Sequence, residues 1–228
     1  MRTNLLALAF AASALFSSSA IAQVQSMGGP DTARQASWVI FAEMTNGFTP
    51  HGAVSINYSQ PEWKDSYDAV LASGKFNGTA QRLGKNWWTS LDTTVALEIG
   101  GTKIEAGSYY LGIQVDKDGK MGLMVIDAKS SNQHGWLPFV AAQWKAVAVA
   151  PLELKKDAHK ESQLKMLIAI SADQADTSKG TFSIRWGKHE LVAPVAFHLA
   201  AKKDGEKKGE GHDAHDAHGK QADKKAPK

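Results

Sequence analysis

The sequence predicts an all-β domain, an antiparallel β-sandwich or jelly-roll-like fold of about eight or nine strands. The first observation is alternation of apolar and polar side chains, clearest over residues 93–128, where three such runs follow one another. A period of two is typical of a strand with one face on a core. The second observation is the regular recurrence of turn signals such as Asp118-Gly119. Only one brief helical pattern accompanies them, so packed β-sheets are the expected architecture.

The amino-terminal part of the domain combines short strands with one long connection. Residues 37–44 are apolar and β-branched, which fits an edge strand or a short helical turn. Residues 53–59 alternate cleanly, and Pro61 ends that strand because proline has no N–H for the sheet. Residues 62–92 are irregular, with weak helical character at 65–73. Connections of this length in compact domains often carry function.

The carboxy-terminal half returns to strands after a second irregular stretch at residues 129–139. A strand is expected at residues 142–154, with a change of phase at Pro151 that indicates a bulge or an edge position. Further strands are expected at residues 163–171, 181–186 and 190–199.

Four segments carry a recognisable pattern: residues 54–64, 86–99, 104–113 and 181–195. The most specific is IEAGSYYLGI at 104–113, an Ala-Gly-x-Tyr turn that leads into a strand. Through these segments the chain resembles, over about residues 50–200, a bacterial family of exported β-domains, domain-of-unknown-function family twenty-nine-eleven. The resemblance implies an exported β-domain and no established activity.

The chain departs from this family directly after Trp88. Members of the family carry an Arg-Thr-Gly-Ala-Asn-like run at this point, whereas this chain has Thr89-Ser90-Leu91-Asp92. A site formed by that run in the family is therefore expected to be altered or absent here.

The first residues have the pattern of a secretory signal peptide. Arg2 precedes an apolar run from Leu5 to Phe16, and Ala20-Ile21-Ala22 fits cleavage after Ala22. The run is shorter than the roughly 20 residues that a membrane span needs. We therefore expect a periplasmic or secreted protein with a signal peptide at residues 1–22. Residues 23–50 are expected to form a leader that contains the possible edge strand. Because the chain has no cysteine, it has no disulfides and no lipid-anchoring cysteine.

The charge distribution limits the classes of partner. The formal net charge is +3, but acidic and basic residues balance between residues 23 and 200. The folded domain, expected at residues 51–200, therefore lacks the basic surface that nucleic-acid binding requires. We expect no nucleic-acid partner and no membrane span in the mature chain. An unknown small ligand or a protein is the expected partner.

Residues 201–228 form a tail rich in Lys, Asp, Glu, Gly, Ala and His, without aromatic or branched aliphatic side chains. Such a segment cannot bury enough apolar surface to offset its ordering entropy, so a disordered tail is predicted. Imidazole and carboxylate groups at high density bind Zn²⁺, Ni²⁺ or Cu²⁺. The alternative is a solvated tail whose histidines are incidental. The candidate metal ligands are His212, His215, His218, Asp213 and Asp216.

The two irregular stretches contain the candidate ligand-binding residues. Trp87, Trp88 and Asp92 lie at the end of the first stretch, and His134 and Trp136 lie in the second. Exposed aromatic rings can stack on a ligand such as a sugar, although tryptophan is also highly buried on average. Catalytic residues stay undefined, since the sequence has no nucleophile elbow, P-loop, dinucleotide fingerprint or HExxH pattern.

Three functions remain open from the sequence. The first is an exported, non-enzymatic β-sandwich module that binds a ligand or partner. The second is a hydrolase-like enzyme with its site in the loops at residues 62–92 and 129–139. The third is divalent-metal handling through the histidine-rich tail.

Overall fold

The computed structural model describes residues 28–199 of the chain. The chain divides into two units, Met1–Thr32 and Ala33–Lys228. Of the first unit only residues 28–32 are described, and these contain neither a helix nor a strand. The fold below is that of the second unit as far as residue 199. No helix within the described residues is long and apolar enough to cross a membrane.

The second unit is almost entirely antiparallel β-structure, which confirms the predicted fold class. Three connections contain helical turns: α1 (Ser66–Ala72), α2 (Ala128–Gln133) and a 3₁₀ turn (Ala141–Gln143). The first six strands are β1 (Arg34–Glu43), β2 (Thr49–Ser59), β3 (Thr79–Arg82), β4 (Thr89–Thr93), β5 (Ala96–Ile99) and β6 (Thr102–Ile104). The other six are β7 (Gly107–Val115), β8 (Met121–Asp127), β9 (Ala148–Lys155), β10 (Gln163–Ala172), β11 (Lys179–Gly187) and β12 (His189–His198).

The structure has twelve strands in one hydrogen-bonded network rather than eight or nine. The additional strands are β3, β4 and β6, which have 4, 5 and 3 residues. Segments this short show too little alternation to be recognised in sequence. The main path of the sheet runs β1-β2-β4-β7-β8-β9-β12-β11-β10, with β3 on β7 and the β5–β6 hairpin on β12.

Strand β9 connects the part of the sheet that ends at β8 with the part that begins at β12. Its first half pairs with β8, from Ala148↔Val125 to Leu152↔Met121, and its second half pairs with β12, where Glu153 lies opposite Val192. The change of partner comes between Leu152 and Glu153, close to Pro151, the position at which the sequence predicted a bulge or an edge. Pro151 lies opposite Gly122 near the end of the ladder with β8, a place where a residue without an N–H is tolerated.

The sheet curves round until its first and last strands meet. The Ser37 hydroxyl on β1 accepts a hydrogen bond from the Ile170 N–H on β10 (3.0 Å). Further along β10, the Trp63 N–H donates to the Leu164 carbonyl (2.7 Å) and the Met166 N–H donates to the Pro61 carbonyl (3.0 Å). The residues that follow β2 therefore continue the contact with β10 and complete the enclosure.

The inward faces of the strands form one apolar core. Its members come from both parts of the sheet, on either side of β9, and many are completely inaccessible to solvent. Burying each such side chain contributes roughly 1.5–3 kcal/mol, which is how a chain without disulfides holds this fold. The fully buried members are Val54, Ile56, Leu91, Leu97, Leu111, Leu123, Val125, Ala150, Ile168 and Phe182.

Two local features differ from the sequence-based expectation. The three runs at residues 93–128 do not follow one another directly, because the turn at Gly100-Gly101 returns the chain as β6 between β5 and β7, and β5 pairs with β12. The predicted strand at 142–154 begins only at Ala148, because Trp144 is buried and its indole N–H donates to the Leu137 carbonyl (2.9 Å). This contact keeps residues 137–144 as a separate loop.

Candidate functional site

A cavity of about 610 Å³ lies between the interior of the sheet and the connections at residues 61–84 and 138–144. These connections include much of the first irregular stretch of the sequence and the end of the second. The cavity therefore lies where the two stretches meet. The sheet contributes the apolar side chains of Ile113, Val115, Met121, Leu154, Ile184 and Leu191.

One wall of the cavity is aromatic. The Trp63 ring makes edge contacts with Tyr67 (centroids 5.5 Å apart), Trp186 (5.2 Å) and His189 (5.4 Å). Tyr67 in turn packs on Trp186 with centroids 5.2 Å apart. Edge-to-face contacts of this kind fix ring orientations more firmly than aliphatic packing does.

Backbone contacts fix the position of this aromatic wall. The Trp186 indole N–H donates to the Pro61 carbonyl (3.1 Å). Gly187 has φ +65°, and an added Cβ there would lie 2.5 Å from the Trp63 ring. Glycine is therefore required between β11 and β12 both for the turn and for the close approach of Trp63.

His189 connects this wall to α1. The Asp157 N–H donates to His189 Nδ1 (3.3 Å), so Nε2 carries the proton and donates to Asp68 Oδ1 (2.7 Å). Because both ring nitrogens are engaged, His189 has no free lone pair to act as a base. Its role in this arrangement is to hold α1, through Asp68, over the cavity.

The polar groups that reach the cavity are few. Among the described lining residues they are Gln81, Arg82, His189 and the hydroxyl of Tyr67. The same described set contains no serine, threonine, cysteine, lysine or carboxylate. The lining is thus mainly apolar, with a few polar side chains.

A second depression, here called the groove, lies on the outer face of the sheet and contains three of the candidate residues. Trp87, Trp88 and Asp92 line it, and its volume is about 380 Å³. Tyr109 lies beside them, and burial together with the charges of Asp127 and Glu105 raises its pKa above the ordinary tyrosine value. Its hydroxyl donates a hydrogen bond to the Glu105 carbonyl (3.0 Å).

The two neighbouring tryptophans of the groove have different environments. Trp87 is 51 % exposed, whereas Trp88 is 2 % exposed. Tyr110 stacks on Trp88 with centroids 4.7 Å apart and planes 2° apart, and Trp144 packs on it at 5.0 Å. Trp88 belongs to a small buried cluster and has no free ring face to offer a ligand.

His134 and Trp136 do not line the groove. Their rings stack on each other with centroids 5.2 Å apart, and His134 Nδ1 lies 2.8 Å from the Ser130 carbonyl. Trp136 also packs against the cluster around Trp88. The structure therefore brings the candidate residues into one neighbourhood without arranging all five around one opening.

The described part of the chain contains no cluster of candidate metal ligands. Within residues 28–199 no group of three or more His, Asp or Glu side chains is arranged to hold a metal ion. The tail ligands proposed from the sequence, His212, His215, His218, Asp213 and Asp216, lie outside the described residues.

Sequence reasoning pointed to the connections around the cavity but missed the cavity itself. Trp63 is a signal available in sequence, since it follows Pro61 in a connection and has no alternating neighbours. The cavity residues on β7 to β12 gave no separate signal. An apolar side chain that lines a cavity has the same alternation pattern as one packed in the core.

A protein-family model matches most of the chain. Residues 42–195, more than half of the chain, match a family model with the description "Protein of unknown function (DUF2911)". No curated protein and no solved structure matches the chain.

Proposed function

The chain belongs to the protein family of unknown function DUF2911, and from this premise we propose that it is an exported, non-enzymatic protein that binds a small, mainly apolar molecule in its cavity. The observation that carries the proposal is the cavity's size combined with its lining. Ligand sites commonly have volumes of about 300–1,000 Å³ and mostly apolar walls with a few polar groups. The cavity has a volume of about 610 Å³ and such a lining.

The arrangement of the walls supports binding. The sheet supplies a rigid side, held by continuous strand pairing from β7 to β12. The other side contains α1, of which no residue is buried. A rigid wall facing a weakly held element allows a ligand to enter without unfolding of the domain.

The exposed apolar side chains at residues 137–140, where the connection at residues 138–144 begins, also favour an apolar ligand. Leu137, Phe139 and Val140 are exposed by 44 %, 59 % and 38 %, and Phe139 lines the cavity. Apolar groups at the opening let an apolar molecule remain in contact with the protein as it leaves water.

Two pairs of neighbouring residues test the proposal. Ala141 and Val70 line the cavity, whereas Ala142 and Ala69 are exposed and do not. We expect Ala141→Trp and Val70→Trp each to weaken binding of the uncharged fluorescent probe phenylnaphthylamine by about tenfold or more, since the added ring occupies the cavity. The matched controls Ala142→Trp and Ala69→Trp should bind like the wild type. Fluorescence titration measures the affinity.

Far-ultraviolet circular dichroism and the urea midpoints of all four variants are the controls for correct folding. Equal affinity in cavity and control variants, or no binding by the wild type, contradicts the proposed site. Export is tested separately by amino-terminal sequencing of the mature protein from its host, which is expected to begin at Gln23.

A further inference from the structure

Arg82 is a charged group in an otherwise apolar cavity lining. It lies at the end of β3, paired with Gly112 of β7. Its guanidinium carbon lies 5.0 Å from the centre of the Phe139 ring, and Nη1 donates to the Asn86 carbonyl at 3.4 Å. Both contacts are weak for a guanidinium, which offers five N–H donors.

No carboxylate among residues 28–199 forms an ion pair with Arg82. Phe139, whose ring lies beneath the guanidinium, is 59 % exposed, so the pair lies where the cavity lining reaches solvent. The Arg82 guanidinium is therefore available to bind an anion. Contact with the flat Phe139 ring limits the orientation of the guanidinium.

Two of the other polar groups of the lining, His189 and Gln81, already have hydrogen-bond partners within the protein. His189 is held between the Asp157 N–H and the Asp68 carboxylate. The Gln81 side chain donates to the Thr79 hydroxyl (3.0 Å). Arg82 is thus the one full positive charge among the described lining residues.

We propose that the ligand is an amphipathic anion, with an apolar body in the cavity and a single acidic head group bound by Arg82. This inference rests on the proposed function, because it assigns the chemical class of the ligand of that same cavity. A planar carboxylate fits best, since a guanidinium binds it through two parallel hydrogen bonds. The apolar body then contacts the aliphatic wall and the Trp63–Trp186 pair.

A series of ligands that differ only in the head group tests this inference on the full chain. Isothermal titration compares dodecanoate, dodecyl phosphate, dodecanol and dodecylammonium with the wild type, Arg82→Gln and Arg82→Lys. We expect the wild type to bind dodecanoate about tenfold to a hundredfold more tightly than dodecanol, and dodecylammonium most weakly. Tighter binding of the phosphate than of the carboxylate would overturn the assignment of a carboxylate.

In Arg82→Gln the preference for the anion over dodecanol should disappear, and Arg82→Lys should keep part of the preference. Lys85→Gln is the matched control, since Lys85 is exposed on the same connection and does not line the cavity. It should behave like the wild type. Equal binding of dodecanoate and dodecanol by the wild type, or a preference that survives in Arg82→Gln, overturns the head-group inference alone. Absence of binding by all four ligands overturns the cavity proposal as well.

Discussion

Asp176 shows what one side chain contributes to a turn of this fold. In the connection from β10 to β11 its carboxylate accepts hydrogen bonds from the Ser178 N–H (3.1 Å) and hydroxyl (2.5 Å). The Lys179 ammonium lies 2.7 Å from the other oxygen. These donors, Lys179 first, lower the pKa of Asp176 from 3.8 to about 2. The ionised carboxylate is therefore more stable in the folded chain than in the unfolded chain.

The lowered pKa of Asp176 gives stability a defined pH dependence. Its contribution is present above pH 3.8 and is lost as the pH falls through about 2. We expect Asp176→Asn to lower the urea midpoint at neutral pH, with the difference from the wild type vanishing near pH 2. Asp118→Asn is the control, since the Asp118 side chain pairs with no described residue and asparagine suits the same hairpin turn. A difference that is unchanged at low pH would show that turn geometry, not charge, is responsible.

At the scale of elements, α1 is the least firmly held part of the cavity. It has seven residues, none of them buried, and isolated helices of this length are unstable in water. Its attachment depends on Tyr67, which packs on Trp63 and Trp186, and on the Asp68–His189 hydrogen bond. Local opening of α1 should therefore occur without unfolding of the sheet.

We expect Asp68→Ala to increase amide hydrogen exchange in residues 66–72 by about two- to fivefold, the effect of losing one largely exposed charged contact. Hydrogen-exchange mass spectrometry measures this, and the urea midpoint of the whole domain should stay nearly the same. Asp65→Ala is the matched control, because Asp65 is at the N-cap but its side chain makes no capping hydrogen bond. Equal exchange in the two variants would exclude Asp68 as the attachment of α1.

At the scale of the whole domain, closure of the sheet depends on contacts between strands far apart in sequence. Ser37 on β1 receives the Ile170 N–H of β10 at 3.0 Å and lies 3.4 Å from the Ile170 carbonyl. These bonds join the two ends of the strand order, and the core between them includes Ile56 and Ile168, both with 0 % exposure.

We expect Ser37→Ala to destabilise the domain by about 1–2 kcal/mol, because the Ile170 N–H loses its partner in a partly buried place. Urea unfolding followed by tryptophan fluorescence measures this change. Ser171→Ala is the matched control, since Ser171 is exposed on β10 next to Ile170. A free energy of unfolding unchanged in Ser37→Ala would mean that water or backbone adjustment replaces the lost bond.

The sequence by itself determined the class of the fold and most of its strands. Alternation at residues 109–115 predicted the strand now seen as β7, and Asp118-Gly119 lies in the turn to β8. The weak helical pattern at 65–73 corresponds to α1. Such features are local, because backbone geometry and turn chemistry depend on neighbouring residues.

Only the tertiary structure decided the order of the strands and the existence of the cavity. Trp63, Arg82 and Trp186 come from distant parts of the chain, and they share one cavity only because β9 changes partner after Leu152 and β10 closes on the residues after β2. The same structure buries Trp88, which the sequence could not distinguish from the exposed Trp87. The physical reason is that strand order and packing depend on pairing between remote segments, and one sequence pattern serves a packed core and a cavity wall equally well.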